Sequence, residues 1–254
     1  MMMQVTVLGS GTSTGVPMIG CSCRACASAD VRDRRLRSSV LVQWPGGTIV
    51  IDLTPDFYPQ MLRSGVTRID GVLLTHAHAD HVHGIDDLRH YTFRMEKPMP
   101  IFCSPETEED LRRRFYYIWQ PLQQGGGLVR LDVRAITTAF EFCGMEITPL
   151  PVKHGIMDVY GYRIGDFGYI SDVSHIPPET EEKLRGVEVL FLDAVRHRPH
   201  STHFCVSQAI EQARRIGARE TWLTHLSHDI VHADLEAMLP AGIRVAWDGA
   251  VIAV

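Results

Sequence analysis

The stretch "VLLTHAHADHVHG", residues 72–84, places three histidines and an aspartate within six positions, directly after an apolar run. They are His76, His78, Asp80 and His81. The apolar run predicts a strand, and the turn after it is free to fold side chains inward. Neutral imidazole binds zinc and related ions, and carboxylate suits harder ions such as manganese. These ligating groups are too many to crowd around one tetrahedral ion, so the pattern predicts two adjacent metals. The alternative is a histidine-rich surface loop.

The rest of the chain alternates short β-branched runs with fewer helical patterns. Strands are predicted at 5–11, 39–44, 48–54, 71–76, 100–104, 128–133, 141–152, 160–172, 187–195, 220–226 and 243–254. Helices are predicted at 55–64, 84–95, 105–119, 177–185, 203–216 and 231–239, the fifth ending at Gly217. Both halves contain strands followed by helices. This favours an α/β (α+β) fold in which two sheets pack together with helices outside.

Domain count follows from length and the absence of linkers. The chain has 254 residues, and "PLQQGGGLV" (121–129) is predicted to be a flexible turn rather than a boundary. We therefore expect a single domain, 1–254. The composition, 45% hydrophobic and 22% charged, is typical of a globular protein.

The charge and hydropathy patterns argue against long nucleic acid and a membrane as partners. The net charge of −5 gives no electrostatic reason to expect long nucleic acid. No apolar run approaches the roughly 18 residues of a membrane span. The beginning "MMMQVTVLGSG" does not resemble a signal peptide. The expected location is the cytoplasm, and no membrane partner is expected.

"THAHADH" resembles the signature of the metallo-β-lactamase superfamily, hydrolases that hold one or two metals between two β-sheets. That family needs a later His, Asp and His, each at a strand end. "PLPVKHG" supplies His154, "GYISDVS" supplies Asp172 and "TWLTHLSH" supplies His225, in that order. The resemblance covers essentially the entire chain. It implies an αββα sandwich of two mixed sheets flanked by helices.

The resemblance also implies a role for each residue of the motif. His76, His78 and His154 match the ligands of a first metal, and Asp80, His81 and His225 match those of a second, the metals being Mn²⁺ or Zn²⁺. Asp172 matches the bridging carboxylate, a departure from the thiol-containing sites of many true β-lactamases. Asp80 is also a candidate catalytic residue. Asp52, at the end of "IVID", matches the residue that orients a ligand histidine.

A segment before the last histidine, "RHRPHSTHFCVSQA", favours a phosphodiester substrate. In phosphodiesterase branches of the superfamily, a histidine preceding a helix here contacts the scissile phosphate or the leaving group. His200 and His203 are candidates, and the spacing of His203 to Ala209 resembles that in tRNase Z. His203 is therefore the predicted catalytic residue, with His200 as substrate-binding. Arg196 and Arg198 are candidate phosphate ligands; the alternative is that they are solvated surface charges.

"CSCRAC" provides three soft ligands, Cys21, Cys23 and Cys26, one short of a closed tetrahedral zinc site. His228, three residues after His225, is a candidate for the fourth. This arrangement resembles the cyclic phosphodiesterases of the carbon–phosphorus lyase pathway, which implies a structural Zn²⁺. The alternatives are reduced buried thiols or a redox motif. The nearby "GSGTSTG" is predicted to form a tight turn beneath the metal site.

The spacing of two ligands bears on substrate size. tRNase Z commonly carries a long basic arm between the positions of His154 and Asp172, whereas eighteen positions separate them here. A small-molecule phosphodiester, such as phosphoribosyl cyclic phosphate or a cyclic nucleotide, is therefore expected, attacked by a metal-activated hydroxide. Alternatives are a thioesterase, a short-RNA nuclease or a non-catalytic binding protein of this fold. A homodimer is also expected from the resemblance, with residues 105–125 as a contributor.

Overall fold

The computed structural model describes residues 3–120 and 127–254. Within them, two seven-stranded sheets contain all the named strands. In chain order these are β1 (Gln4–Gly9), β2 (Ser39–Trp44), β3 (Gly47–Ile51), β4 (Gly71–Leu73), β5 (Met99–Cys103), β6 (Leu131–Ala135), β7 (Phe140–Phe142), β8 (Met145–His154), β9 (Met157–Ile164), β10 (Phe167–Ile170), β11 (Val189–Asp193), β12 (Glu220–Thr224), β13 (Ile243–Val245) and β14 (Val251–Ala253).

Helices connect the strands. In chain order the α-helices are α1 (Phe57–Ser64), α2 (Ala79–Val82), α3 (Arg89–Met95), α4 (Pro105–Arg114), α5 (Pro178–Leu184), α6 (Val206–Ile216) and α7 (His232–Met238). Short 3₁₀ turns occupy Val31–Asp33, Ile85–Leu88 and Tyr116–Ile118. Among the described residues, no helix is both long enough and apolar enough to span a bilayer.

The first sheet has the order β14-β1-β2-β3-β4-β5-β6, and the second β13-β12-β11-β10-β9-β8-β7. Strands β3 to β6 pair in parallel, as do β10 to β13. Because the carboxyl ends of parallel strands meet at one edge, each sheet presents a row of strand ends there. The site described below is formed by residues that follow or end these strands, together with His154 at the end of β8, which runs in the same direction as β10.

One apolar layer joins the inner faces of the two sheets. It includes Val42 and Ile51 from the first sheet and Tyr162 and Phe191 from the second, all almost fully excluded from solvent. Complete burial of such a side chain contributes about 1.5–3 kcal/mol. The layer therefore fixes the spacing between the sheets, and with it the geometry of the residues at their shared edge.

The helices cover the outer faces. On α6, Val206, Ala209, Ala213 and Ile216 recur at helical spacing and pack with the core of the second sheet. The helix ends at Gly217, whose φ of 73° is a left-handed conformation that glycine adopts without strain. A separate core joins α1, α3 and α4 to the first sheet. The prediction of two mixed sheets flanked by helices is confirmed.

Several predicted boundaries were wrong in detail. The run 243–254 forms two strands rather than one, because Asp248 and Gly249 turn the chain between them, and β13 and β14 lie in different sheets. The run 160–172 is divided by a turn at Gly165-Asp166. The predicted helix 105–119 is α4 followed by a 3₁₀ turn. Most of the predicted flexible turn at 121–129, and part of the segment 105–125, lie outside the described residues.

Candidate metal centre and active site

The ends of strands from both sheets bring the histidines and aspartates of the motifs together. Asp52 directly follows β3, and the His76–His81 segment follows β4. His154 is the last residue of β8, Asp172 lies two residues beyond β10, and His225 directly follows β12. All of these positions lie at carboxyl ends of strands. The fold thus places residues far apart in sequence on one edge of the sandwich.

The first group of ligating atoms comes from His76, His78, His154 and Asp172. One atom from each lies within 4.8 Å of the others. Both His76 Nε2, at 4.0 Å, and His154 Nε2, at 3.9 Å, face Asp172 Oδ2. Only His78 of the four is half-buried rather than buried. This arrangement suits one metal ion bound by three imidazoles and a carboxylate oxygen.

A second group lies on the other oxygen of the same carboxylate. Asp172 Oδ1 is 3.2 Å from His81 Nε2 and 3.3 Å from His225 Nδ1. Asp80 Oδ2 approaches His81 Nε2 at 3.3 Å. Since Oδ2 of Asp172 faces the first group and Oδ1 the second, this carboxylate has the placement of a bridge between two ions.

Unsatisfied buried atoms indicate that these groups fit a metal. In the part of the chain that the structure describes, four inward-facing atoms are buried without a hydrogen-bond partner: His76 Nε2, His81 Nε2, Asp172 Oδ1 and His225 Nδ1. Buried polar atoms are nearly always satisfied, so this convergence calls for a ligand. Burial lowers the pKa of His76 well below its ordinary value and that of His225 to about 4. Both imidazoles are therefore neutral at pH 7, the form that binds a metal.

Outer partners orient the ligand histidines. His81 Nδ1 donates to Asp52 Oδ2 at 2.7 Å, and Asp52 also accepts from the Thr75 amide at 2.8 Å. His154 Nδ1 donates to the Thr202 carbonyl at 2.8 Å. Burial alone would lower the pKa of His81, but the neighbouring carboxylates, Asp172 foremost, raise it well above its ordinary value. In the neutral form of each ring the proton is held on Nδ1, so the Nε2 lone pair faces the cluster. Asp52 lies where a residue that orients a ligand histidine is expected.

His203 lies at the mouth of the cluster. Its Nδ1 donates to Asp193 Oδ2 at 2.8 Å, and its Nε2 lies 3.9 Å from Asp172 Oδ2. Burial alone would lower the pKa of His203, but the hydrogen bond and charge of Asp193 raise it above its ordinary value. A ring with an anchored Nδ1 and a free Nε2 can donate a proton to a bound substrate.

Asp193 is a functional candidate that the sequence reasoning missed. It is the last residue of β11 and is fully buried. Its signal was present, since an acidic residue ends the apolar run "VEVLFLD" at the same edge as Asp172. A lone carboxylate at a strand end has many structural explanations, and only the fold shows that it contacts His203.

The other residues proposed for substrate binding differ in placement. The His200 ring lies 5.0 Å from the His203 ring, and its Nδ1 accepts from the Thr202 amide at 3.2 Å. Arg196 donates to the carbonyls of Arg198 and Pro199 in its own loop. Arg198 is mostly exposed and faces Asp229 at 3.5 Å. Within residues 127–254 and 3–120, no hydrogen bond or ion pair joins either arginine to the metal cluster.

The cysteines of "CSCRAC" form a separate cluster with His228. The three thiols and one ring nitrogen lie within 4.8 Å of one another, and His228 Nδ1 is 3.2 Å from Cys21 Sγ and 3.4 Å from Cys23 Sγ. Hydrogen bonding to the Cys26 backbone lowers the pKa of Cys23 to about 6, whereas burial raises that of Cys26 to about 11. Four donors of this kind suit a closed tetrahedral zinc site.

Comparison with known proteins identifies the family. Residues 47–226 match the model of the Beta-lactamase superfamily domain. The chain belongs to the β-lactamase superfamily. A crystal structure of a diphosphatase from the PhnP family superposes with a TM-score of 0.93 and 42% identity, covering 99% of this chain and 98% of that one. The superfamily resemblance inferred from "THAHADH" is thus confirmed, and the chain has the metallo-β-lactamase fold with His and Asp groups suited to metal binding.

Of two further relatives, one is about twice as long as this chain and the other has a low sequence identity to it. An octanoyltransferase of Porphyromonas gingivalis is 37% identical over 251 residues, which are 97% of this chain and 51% of that protein. The chain therefore spans about half the length of that relative. The structure of human tRNase Z, short form, has a TM-score of 0.74 at 17% identity, covering 99% of each chain, and shows the shared fold alone.

Proposed function

We propose that this superfamily hydrolase is a dinuclear phosphodiesterase that cleaves small or cyclic phosphodiesters. The observation that carries the proposal is the position of His203: its Nε2 lies 3.9 Å from the shared carboxylate, and its Nδ1 is anchored on Asp193. A proton donor at that point meets the leaving oxygen of a substrate bound between the two ligand groups. Phosphodiester cleavage needs such a donor, because an alkoxide is a poor leaving group.

The residues that would hold the ions form two groups, one on each oxygen of the Asp172 carboxylate. His76, His78 and His154 serve the first ion, and Asp80, His81 and His225 the second. Two divalent ions bound there, Mn²⁺ or Zn²⁺, would neutralise charge on the phosphoryl oxygens and lower the pKa of an attacking water. Asp172 holds both groups in register, and Asp52 and the Thr202 carbonyl keep the rings in the ligating tautomer.

His203 and His200 divide the contact with substrate. His203 carries the proton that goes to the leaving oxygen, and buried Asp193 orients the ring and stabilises its protonated form. His200 accepts from the Thr202 amide through Nδ1, so its Nε2–H can donate to a phosphoryl oxygen without transferring the proton. Arg196 and Arg198 have other partners and have no part in the proposal.

The hairpin between two of the ligands supports a small substrate. The chain from His154 to Asp172 is used almost entirely by β9 and β10, and the turns on either side are short. Residues 154–172, all of which the structure describes, therefore contain no arm that could grip a folded RNA. A single nucleotide-sized phosphodiester needs no such arm, because the two ions and the two histidines account for its recognition.

A diphosphate bond is the second candidate substrate. It is favoured by one observation, the 42% identity over nearly the whole chain to a diphosphatase. The same residues would serve, with phosphate rather than alkoxide as the leaving group. That group needs less protonation, so cleavage of a diphosphate would depend less on His203.

The cluster of Cys21, Cys23, Cys26 and His228 is proposed to bind one structural Zn²⁺. With all four positions filled by protein donors, no place is left for water or substrate. The ion would tie the N-terminal loop to the segment that follows His225. The cluster would stabilise the site without taking part in the reaction.

The proposal is tested with metal-reconstituted protein and four substrates. Bis-p-nitrophenyl phosphate, a cyclic ribose phosphate, a nucleoside diphosphate ester and an octanoyl thioester would be compared under identical conditions. Turnover of the first two that is lost in Asp172→Asn supports the proposal. Preference for the diphosphate favours the second candidate. Turnover of the thioester alone, with both ions in place, would overturn both and favour an acyl substrate.

A further inference from the structure

The His225 ring is oriented differently from the rings of His81 and His154. In His81 and His154 the outward nitrogen is Nδ1, and Nε2 faces the cluster. In His225 the order is reversed, because Nδ1 faces Asp172 Oδ1 at 3.3 Å and Nε2 points away. The outward partner of that Nε2 is the hydroxyl of Thr12, at 3.1 Å. Both residues are buried.

Thr12 comes from "GSGTSTG", the loop after β1 to which the proposed function gives no role. Backbone hydrogen bonds hold this loop beside His225: the Leu226 amide donates to the Ser10 carbonyl at 2.9 Å, and the Thr12 amide to the Leu226 carbonyl at 3.2 Å. Gly11 permits the close approach of the same loop to Arg35, since a Cβ at Gly11 would lie 2.9 Å from Arg35 Cβ. The loop is therefore built against the residue next to the ligand.

The backbone of His225 also depends on this loop. Its φ of 59° is in the left-handed region, which is unfavourable for a residue other than glycine. Such a conformation persists where the surroundings hold it, and it is common at functional sites. The two hydrogen bonds at Leu226 hold the backbone, and the Thr12 hydroxyl engages the ring.

We infer that Thr12 positions the His225 ring as a ligand of the second metal, an inference that rests on the proposed function. When Nδ1 of His225 binds an ion, the ring proton must be on Nε2, and the Thr12 hydroxyl accepts it. This fixes the tautomer and the ring angle that direct the Nδ1 lone pair beside Asp172. Outer partners of this kind typically change metal affinity about 10- to 100-fold.

The test is a Mn²⁺ titration of metal-free protein, with free Mn²⁺ counted by its electron paramagnetic resonance signal. Thr12→Val keeps the shape of the side chain and removes the hydroxyl. We expect one of two ions to bind about 10- to 100-fold more weakly, and the other to change far less. Thr12→Ser should restore the parent isotherm. Thr14→Val is the control, because the exposed Thr14 hydroxyl donates to the Gly15 carbonyl in the same loop and has no other hydrogen bond within residues 3–120 and 127–254.

Three results would overturn the inference. They are a Thr12→Val isotherm that superimposes on that of the parent, an equal loss in Thr14→Val, and a parent protein that binds no second ion. The outcome is separable from that of the proposed function, because binding is read without substrate. A parent that binds two ions but cleaves no phosphodiester would remove the proposed function and leave the role of Thr12 to be decided by the isotherms.

Discussion

The two candidate metal clusters of this protein differ in how far apart their residues lie in the sequence. The His/Asp cluster collects buried side chains from strand ends of both sheets, and Asp172 is shared between two groups. The Cys/His cluster takes three ligands from six consecutive residues and one from His228, with only Cys26 buried. The first is bordered by the half-buried ring of His203, whereas the second has four donors of its own, enough to close a tetrahedral site.

This difference separates a candidate catalytic metal site from a candidate structural one. An open group with a neighbouring proton donor can bind and convert a substrate, whereas a closed tetrahedral group can only hold chain segments together. The clusters are nonetheless adjacent, because His228 lies three positions after His225. Perturbing each cluster in turn should therefore affect different observables, rate for one and stability for the other.

The largest effect is expected at the shared carboxylate. Asp172→Asn keeps the shape of the side chain but removes the charge that both ligand groups share, so we expect the phosphodiesterase rate to fall at least about a thousandfold. The measurement is kcat/KM with bis-p-nitrophenyl phosphate, alongside metal content. Asp166→Asn, in the exposed β9–β10 turn, is the matched control. A variant that keeps both its ions and more than a tenth of the rate would contradict the shared role.

The next effect concerns the proton donor. His203→Ala should lower kcat about 10²- to 10⁴-fold for a cyclic phosphate, the range of general acid catalysis. The loss should be smaller for bis-p-nitrophenyl phosphate, because its weakly basic leaving group needs less protonation. Asp193→Asn should reproduce this leaving-group dependence in weaker form. His197→Ala, an exposed histidine of the same loop, is the control. Equal losses for the two substrates would argue for a structural role.

The third effect should appear in stability rather than in rate. Cys23→Ser removes one zinc ligand, and the lost binding energy lowers the free energy of unfolding. Since about 1 kcal/mol shifts the Tm of a chain of this size by roughly 2–4 °C, we expect the Tm to fall by about 10 °C. At a temperature where the variant is folded, kcat should stay within about threefold. Ser22→Ala, exposed between two of the cysteines, serves for comparison. An inactive variant with an unchanged Tm would reverse the assignment.

The smallest effect is expected at the arginines. Arg196→Ala and Arg198→Ala should each change KM less than about twofold, because surface substitutions of this kind rarely cost more than 0.5 kcal/mol. Steady-state kinetics with the cyclic phosphate would check this. A tenfold rise in KM in either variant would restore the idea that the guanidinium binds phosphate, and would require the loop at 196–200 to move when substrate binds.

The sequence was most informative where candidate ligands are contiguous or end an apolar run. The His76–His81 segment, His154, Asp172 and His225 could all be recognised, because each occupies a strand end in a fixed order. The two-sheet architecture followed from the same pattern. The Cys21–Cys26 segment was equally easy to recognise as a candidate metal site, since three thiols within six residues have few other functions.

The remaining features depend on tertiary structure. Asp193 and Thr12 are ordinary residues in sequence, and only the packing of their strands brings them to His203 and His225. The directions of Arg196 and Arg198 are set by carbonyls and a carboxylate near them, which no local pattern reports. The split of 243–254 was signalled by Asp248-Gly249, a turn dipeptide. Apolar residues on both sides made the two strands look continuous.

The most direct measurement of the central claim is anomalous diffraction from crystals of the protein grown with Zn²⁺ and Mn²⁺. We expect two peaks on either side of the Asp172 carboxylate, roughly 3.5–4 Å apart. We also expect one further zinc peak among Cys21, Cys23, Cys26 and His228. A single peak at Asp172, or none, with the cysteine cluster filled would contradict the claim that the open cluster is a two-metal catalytic centre.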